Sequence, residues 1–212
     1  MDVRELAPGL WRWTALHPDW APGDDWEQEV GCVYLEAAGE VILIDPLVPA
    51  EPDAREAFLE HLDADVERNG TSVSVLLTVA WHTRSAGELA ERYGAEVWAR
   101  EAGSAPDSPV TNPIAPGAIL PGGLIGIDAQ LAEETIYWLP EQSALVPGDA
   151  LLGDADGGLR VCPESWLGGA TQADLKLGLA GLLDLPVELV LVSHGEPVLA
   201  DGRAALEAAL RA

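Results

Sequence analysis

Short apolar runs of strand length alternate with longer stretches of helical periodicity along most of this chain. Residues 30–37 and 40–45 are two such runs separated by two residues, which predicts a β-hairpin with a tight turn. Residues 51–69 carry apolar side chains at helical spacing, and residues 73–77 have the length and branching of a buried strand. Because strand, helix and strand follow each other through short connections, we expect the strands that flank the helix to be parallel.

A stretch rich in proline, glycine, alanine and serine, residues 101–121, interrupts this alternation once. Beyond it the pattern predicts three short strands, a helix, a buried strand and a closing helix, over residues 122–127, 134–139, 143–146, 171–183, 188–193 and 201–211. The element orders on the two sides of this seam are similar. We therefore predict a single domain over residues 1–212, with two similar halves at about 1–105 and 115–212.

The connection that follows the strand at residues 73–77 is the most informative loop of the sequence. Ser85 and Glu88 have the spacing of a capping box, which predicts a helix over residues 85–93. The loop at residues 79–84 therefore follows the carboxyl end of a buried strand. Proteins that alternate strands and helices place binding and catalytic groups at such positions.

Composition and charge exclude several classes of partner. With 36 acidic and 11 basic residues the net charge is −25, which repels phosphate backbones and anionic lipids. We therefore expect neither nucleic acid nor a membrane as a partner, and we leave a small-molecule ligand and a homo-oligomer open. No apolar stretch reaches the roughly 18 residues that span a membrane, and the first residues lack the parts of a signal peptide. A cytoplasmic location and two free thiols, Cys32 and Cys162, are expected.

The loop at residues 79–84 and its flanks resemble the signature of the metallo-β-lactamase superfamily, an apolar strand and a threonine followed by His-x-His-x-Asp-His-x-Gly-Gly. In an ungapped overlay, Thr78 matches the threonine and Gly87 the second glycine. The one histidine of the loop, His82, falls on a variable position. The positions of the four metal ligands are occupied by other residue types: Val79 and Trp81 for the first two histidines, Thr83 for the aspartate and Arg84 for the third histidine.

Three further elements resemble the same superfamily and occur in the same order. Asp45 ends a Leu-Ile-Asp element whose aspartate supports the metal loop in that superfamily. Asp149 resembles the aspartate that bridges two metals, and His194 the histidine that holds the second metal. Gln130 is nearest to the place of the remaining histidine. The resemblance implies a four-layer αβ/βα sandwich, with two mixed sheets packed together and helices outside.

The resemblance implies a zinc site that is largely dismantled. A hydrolytic zinc needs about three protein ligands, and only Asp149 and His194 remain as ligands of the second site. The first hypothesis is therefore a binding or structural module, or a pseudoenzyme, for which no cofactor is expected. The alternative is an atypical hydrolase of a small ester, thioester or lactone, with zinc at a reduced site of Asp149, His194 and His82. A metal-free acid–base enzyme that uses His194 with Asp149 or Asp45 is the third hypothesis.

Other catalytic motifs are missing from the sequence. No serine lies in a G-x-S-x-G elbow, and no glycine-rich phosphate loop is present. A dismantled site leads to three expectations. The protein should hold less than one equivalent of zinc. An Arg84–Asp149 ion pair, with His194 beside it, should replace the charge of the metal. At least two indoles should line or fill the former metal cavity, from the set Trp11, Trp13, Trp20, Trp26 and Trp81, with Trp81 first among them.

Overall fold

The predicted hairpin and crossovers form a seven-stranded mixed sheet. Its strands have the same order in space as in sequence, antiparallel from the first to the fourth and parallel from the fourth to the seventh. They are β1 (Val3–Ala7), β2 (Leu10–Leu16), β3 (Glu29–Ala37), β4 (Glu40–Ile44), β5 (Val73–Leu76), β6 (Glu96–Arg100) and β7 (Asn112–Ile114). The computed structural model describes residues 1–69, 72–100, 108–115, 118–129 and 133–212.

A second mixed sheet contains four strands in the spatial order β13, β10, β9, β8, and a separate pair, β11 and β12, follows its β10 strand in the chain. The bounds are β8 (Ile125–Ala129), β9 (Glu134–Leu139), β10 (Ala144–Val146), β11 (Leu151–Gly153), β12 (Leu159–Val161) and β13 (Leu189–Val190). The α-helices are α1 (Pro52–Asn69), α2 (Ala86–Tyr93), α3 (Gln172–Leu179) and α4 (Gly202–Arg211). Among the described residues, no helix has the length and apolar character needed to cross a membrane.

Alternation along the strands sorts the apolar side chains into separate cores. Leu43 of β4 packs with Leu62 of α1 and Leu89 of α2, on the outer face of the first sheet. Its neighbours Ile42 and Ile44 point to the opposite face. There they pack with Tyr137 and Leu139 of the second sheet and with Leu191, which directly follows β13.

The second sheet divides its side chains in the same way. Ile136 of β9 lies in a third core with Leu175 of α3 and Leu206 of α4, while the adjacent Tyr137 faces the first sheet. The order of layers is therefore helix, sheet, sheet, helix. This confirms the predicted four-layer αβ/βα sandwich with helices outside.

Several predicted boundaries differ from the structure. A 3-10 turn occupies Pro121–Gly123, and β8 begins only at Ile125, because Gly122 and Gly123 take positive φ angles that interrupt a strand. The predicted seam at residues 101–121 contains β7 and lies partly outside the described residues. Helix α3 ends at Leu179 and continues as a 3-10 turn through Asp184, in a stretch with two glycines.

One of the predicted helix starts needs a correction. Ser85 does precede α2, but its side chain makes no capping hydrogen bond. Its Oγ instead accepts the backbone N–H of Val48 at 2.9 Å, and Glu88 pairs with Arg55. Ser85 therefore ties α2 to the segment that follows β4. This contact fixes the far end of the loop at residues 79–84.

Candidate metal centre

Four chain segments that leave strands bring their polar residues to the same edge of the two sheets. Asp45 directly follows β4, and Thr78 comes two residues after β5. Asp149 follows β10 after a short turn. His194 lies beyond the end of β13. In the segment between them, the backbone N–H of Leu191 donates to a carbonyl of β10, and the carbonyl of Ser193 then accepts the N–H of Gly31 of β3 at 2.7 Å. His194 is thus carried from the second sheet onto the first.

Asp45 contacts three other polar residues at this edge. Its Oδ1 accepts the backbone N–H of Thr78 at 2.9 Å, and its Oδ2 accepts the hydroxyls of Thr78 at 2.5 Å and Ser193 at 3.3 Å. The same Oδ2 lies 2.9 Å from Nδ1 of His82. Burial raises the pKa of Asp45, but the charge of His82 and these hydrogen bonds outweigh burial, so the pKa lies below its usual range. The predicted supporting position of Asp45 beside the metal loop agrees with these contacts.

His82 turns toward Asp149 because Asp45 holds its other nitrogen. An ionised carboxylate only accepts hydrogen bonds, so Nδ1 of His82 donates to Asp45, and Nε2 is the nitrogen that offers a lone pair to a metal once the ring is neutral. Nε2 of His82 lies 3.3 Å from Oδ1 of Asp149, and Nε2 of His194 lies 3.5 Å from the same oxygen. The three ligand atoms all lie within 4.8 Å of one another.

These spacings fit ligands of one metal ion better than they fit hydrogen bonds. Around a tetrahedral zinc with bonds of about 2.0–2.1 Å, neighbouring ligand atoms stand about 3.3 Å apart. A protein N–H···O bond is typically shorter, at about 2.9 Å. Within the described part of the chain, the buried Oδ1 of Asp149 has no partner of hydrogen-bond geometry. An orphaned carboxylate oxygen that faces two imidazole nitrogens is a suitable cradle for a divalent cation.

The second oxygen and the backbone of Asp149 are held by two other residues. Nε1 of Trp81 donates to Oδ2 of Asp149 at 3.0 Å. The fully buried carboxylate of Glu134 accepts the backbone N–H groups of residues 148, 149 and 150 at 2.8, 2.8 and 2.7 Å. Burial and the charge of Asp149 raise the pKa of Glu134 to about 7, against the effect of the three N–H donors. Sequence reasoning missed Glu134, for which no motif position exists.

Without a metal, His82 is the cation of the cluster. Burial and the charge of Arg84 lower the pKa of His82, but Asp45 and Asp149 outweigh both and raise it to about 9. Burial raises the pKa of Asp149, yet attraction by His82 and His194 holds it well below its usual range. A protonated imidazole between two carboxylates thus supplies the positive charge that the sequence led us to expect from Arg84.

The predicted Arg84–Asp149 ion pair was wrong. Arg84 takes a left-handed conformation with φ of 36°, which turns its side chain toward the ends of β3 and β4. There its Nη1 donates to the carbonyls of Gly31 at 3.0 Å and Asp45 at 2.8 Å. The guanidinium satisfies carbonyls at strand ends and does not reach Asp149.

The cluster opens into a cavity of about 390 Å³ whose wall is largely aromatic. Trp26 and Trp166 pack edge-on against the His194 ring, with centroids 5.6 and 6.2 Å away. Nε1 of Trp166 donates to Oδ2 of Asp25 at 2.8 Å, which ties together parts of the chain 141 residues apart. The residues that line the cavity are His17, Asp25, Trp26, Val30, Trp81, His82, Arg84, Asp149, Trp166 and His194.

Two of the five indoles named from the sequence, Trp26 and Trp81, line this cavity, which confirms the minimum that was expected. Trp81 is 56% exposed, so it forms part of the mouth and does not fill the space. Trp20 supports Trp26 by donating to its carbonyl at 2.8 Å. Trp11 and Trp13 line a different cavity, next to α1. Trp166, which lines the metal cavity as well, was not foreseen.

The remaining overlay positions contribute no side chain to this cavity, as far as the structure describes them. Val79 is buried and forms a backbone bridge with Glu134. Thr83 accepts the N–H of Ala86 with its carbonyl at the start of α2 and does not line the cavity. Gln130 lies outside the described residues. The cluster therefore uses His82, from the overlay's variable position, with the two predicted ligands Asp149 and His194.

Comparison with solved structures finds the same architecture in several proteins. A metallo-β-lactamase family protein from Thermus thermophilus matches at a TM-score of 0.66 with 21% identity, over 96% of this chain and 79% of that one. A metallo-β-lactamase from Pontibacter korlensis matches at 0.68 with 20% identity, over 99% and 97%. The metallo-β-lactamase FIM-1 from Pseudomonas aeruginosa, in its mono-zinc form, matches at 0.65 with 16% identity, over 99% and 96%.

Sequence comparison adds no relative to these structural matches. No family model matches the chain. No curated protein matches it either. The shared architecture over nearly the whole chain is nevertheless clear, and it agrees with the order of layers. The chain therefore has the metallo-β-lactamase fold.

Proposed function

We propose that this protein is a hydrolase that works with a single zinc ion, held by His82, Asp149 and His194, on a small ester, thioester or lactone. The observation that carries the proposal is the spacing of the three ligand atoms, 3.3 and 3.5 Å from the shared oxygen to the two imidazole nitrogens. Three protein ligands and an open side are the usual composition of a catalytic zinc site. The structure of FIM-1, a relative in fold, was solved in a mono-zinc form.

The chain supplies the outer support that such a site needs. Asp45 fixes the tautomer of His82, as a carboxylate behind a ligating imidazole does in many metal sites. Glu134 holds the backbone on both sides of Asp149. A zinc ion bound there would supply Lewis acidity toward a substrate carbonyl and would lower the pKa of a water molecule.

The cavity favours an uncharged substrate with an apolar group. Trp26 and Trp166 offer flat apolar surfaces beside the cluster. Such surfaces suit an aromatic or alkyl group of a substrate and exclude water from that bound group. Arg84 is the one permanently cationic side chain among the described residues of the wall, and two backbone carbonyls occupy its Nη1. The net charge of −25 also disfavours the approach of anions.

A metal-free binding module is the second candidate, and one observation favours it. His82 lies between two carboxylates, 2.9 Å from Asp45 and 3.3 Å from Asp149, so a protonated imidazole balances charge in the cluster without any metal. In this alternative the aromatic cavity would bind a small molecule without converting it. The two candidates differ in metal content and in turnover.

Metal content and turnover are measured together in the test. Purified protein is stripped with a chelator, titrated with Zn²⁺ by calorimetry, and assayed with p-nitrophenyl esters, a thioester and a γ-lactone. We expect one equivalent of zinc, and hydrolysis that the chelator abolishes and zinc restores. His82→Ala and His194→Ala should each lose both properties. His61→Ala is the matched control, because His61 lies on the exposed surface of α1. Absence of zinc binding by the wild type would favour the metal-free module.

A further inference from the structure

We propose that Trp81 restricts the metal centre to one ion, by occupying the oxygen of Asp149 that a second ion would need. This inference rests on the proposed single-zinc site. Nε1 of Trp81 donates to Oδ2 of Asp149 at 3.0 Å, while Oδ1 faces the two imidazoles without a hydrogen bond among the described residues. The carboxylate therefore presents two different oxygens, one bonded to an indole and one open toward His82 and His194.

An indole at this oxygen excludes a second ion by its chemistry and by its volume. The Nε1–H group of tryptophan only donates, so Trp81 adds no ligand beside Oδ2. Its ring occupies the space next to the oxygen at the mouth of the cavity. A carboxylate that bridges two ions with one oxygen on each needs both oxygens accessible to metal, whereas bridging through Oδ1 alone would need a second ligand set beside that oxygen. Trp81 thus converts Asp149 from a residue able to bridge into a ligand that binds through one oxygen.

The neighbouring residues offer no second ligand set. Val79 is buried and carries no donor atom in its side chain. Asp25, in the cavity wall, is engaged by Nε1 of Trp166, and Nδ1 of His17 lies 3.3 Å from the backbone N–H of Asp19. In the described ranges, only one group of three ligand-type residues converges closely enough for a metal. A second ion would have to compete with Trp81 for Oδ2.

Trp81 also positions the ligand that remains. The hydrogen bond to Oδ2 fixes the rotation of the carboxylate, so that Oδ1 points at the Nε2 atoms of His82 and His194. Loss of an outer hydrogen bond to a metal ligand typically weakens metal binding by about 10–100-fold. Trp81 is therefore a positioning residue, which acts on the metal through Asp149.

The experiment compares metal binding by the wild type, Trp81→Phe and Trp81→His. Chelator-stripped proteins are titrated with Zn²⁺ by calorimetry and analysed for bound zinc, and visible spectra are recorded with Co²⁺ as the probe. Trp81→Phe keeps an aromatic ring and loses the N–H group. Trp20→Phe is the matched control, because it loses an indole bond of 2.8 Å that goes to the Trp26 carbonyl and not to a ligand.

For the wild type and Trp20→Phe we expect one equivalent of zinc and the same affinity. Trp81→Phe should bind zinc about 10–100-fold more weakly and give a changed Co²⁺ spectrum, since Asp149 is then free to rotate. Its metal-free melting temperature should stay close to that of the wild type, because Trp81 is largely exposed. Trp81→His should take up a second, weaker equivalent.

Three results would overturn the inference, and only the first of them also contradicts the proposed single-zinc site. These are two tight equivalents in the wild type, an affinity and Co²⁺ spectrum of Trp81→Phe that equal those of the wild type, and a single equivalent in Trp81→His. A wild-type protein that binds no zinc would instead refute the proposed function itself, and the inference with it.

Discussion

His82 follows a strand of the first sheet and Asp149 a strand of the second, yet Nε2 of His82 lies 3.3 Å from Oδ1 of Asp149. The contact joins the two sheets at their shared edge, and it brings to the site a histidine that the ungapped overlay put on a variable position and that only the alternative hypothesis used as a ligand. Asp45 orients the His82 ring for this contact, because its Oδ2 lies 2.9 Å from Nδ1 on the other side of the ring. A chain of carboxylate, imidazole and carboxylate thus runs across the centre of the site.

The first prediction concerns Asp45→Asn. An amide can no longer accept from Nδ1 of His82 and from both donors of Thr78 at once, so the orientation of His82 relaxes. We expect zinc affinity to fall about 10–100-fold. We also expect the metal-free protein to lose about 1–3 kcal/mol of unfolding free energy in urea.

Asp63→Asn is the matched control for this change. Asp63 is also an aspartate with several hydrogen bonds, but its partners Arg92 and Tyr93 lie at the end of α2, and none of the three residues lines the metal cavity. An exposed ion pair contributes at most about 1 kcal/mol, and its loss should not alter zinc affinity. Equal zinc affinities of Asp45→Asn and the wild type would contradict the supporting role of Asp45.

The second prediction concerns Arg84→Met. The substitution removes two hydrogen bonds from a charged donor and leaves the carbonyls of Gly31 and Asp45 unsatisfied. We expect a loss of about 1.5–3 kcal/mol in urea unfolding of the metal-free protein. Arg4→Met, which removes an exposed arginine that pairs with Asp2, should change stability little. A stability of Arg84→Met within error of the wild type would show that these carbonyl contacts contribute nothing.

Local patterns predicted most of the strands and helices, whereas the four-layer arrangement was implied by the resemblance to the metallo-β-lactamase superfamily. In β4, the alternation of Val41, Ile42, Leu43 and Ile44 places successive side chains in two different cores, so the strand has to lie between a helix layer and a second sheet. Thr171 and Asp174 form a capping box where the helix predicted over residues 171–183 begins. Such signals involve residues that are neighbours in sequence, so they can be recognised in a single chain.

The candidate site depends on contacts that no local pattern encodes. His82 reaches Asp149 because Asp45, 37 residues earlier in the chain, holds the other nitrogen of its ring, a contact that an overlay of letters cannot show. Glu134 is the second of two adjacent acids and the first residue of β9, and its role appears only when the loop after β10 folds over it. Trp166 meets Asp25 across 141 residues of sequence. Each of these residues acquires its role through tertiary packing.

The third prediction concerns Glu134→Gln. Glu134 accepts three backbone N–H groups with two oxygens, whereas glutamine offers one oxygen and an NH₂ group that faces a donor. We expect a loss of about 1–3 kcal/mol in unfolding free energy, together with weaker zinc binding because Asp149 loses its fixed backbone. Glu133→Gln, an exposed change one residue earlier, is the control. Unchanged stability and zinc affinity in Glu134→Gln would refute this role.

The fourth prediction concerns the hydrogen bond that closes the aromatic wall. Nε1 of Trp166 donates to Asp25 at 2.8 Å and so fastens the loop at residues 17–28 to the segment that follows β12. Trp166→Phe keeps the ring and removes this bond, which is worth about 1 kcal/mol. The loop should then open about fivefold more often, and chymotrypsin should cleave after Trp20 or Trp26 faster by about that factor. Trp98→Phe is the matched control, because Nε1 of Trp98 is buried without a hydrogen-bond partner in the described part of the chain. Equal cleavage rates for Trp166→Phe, Trp98→Phe and the wild type would show that the loop is held by other contacts, and that the wall of the cavity does not depend on Asp25.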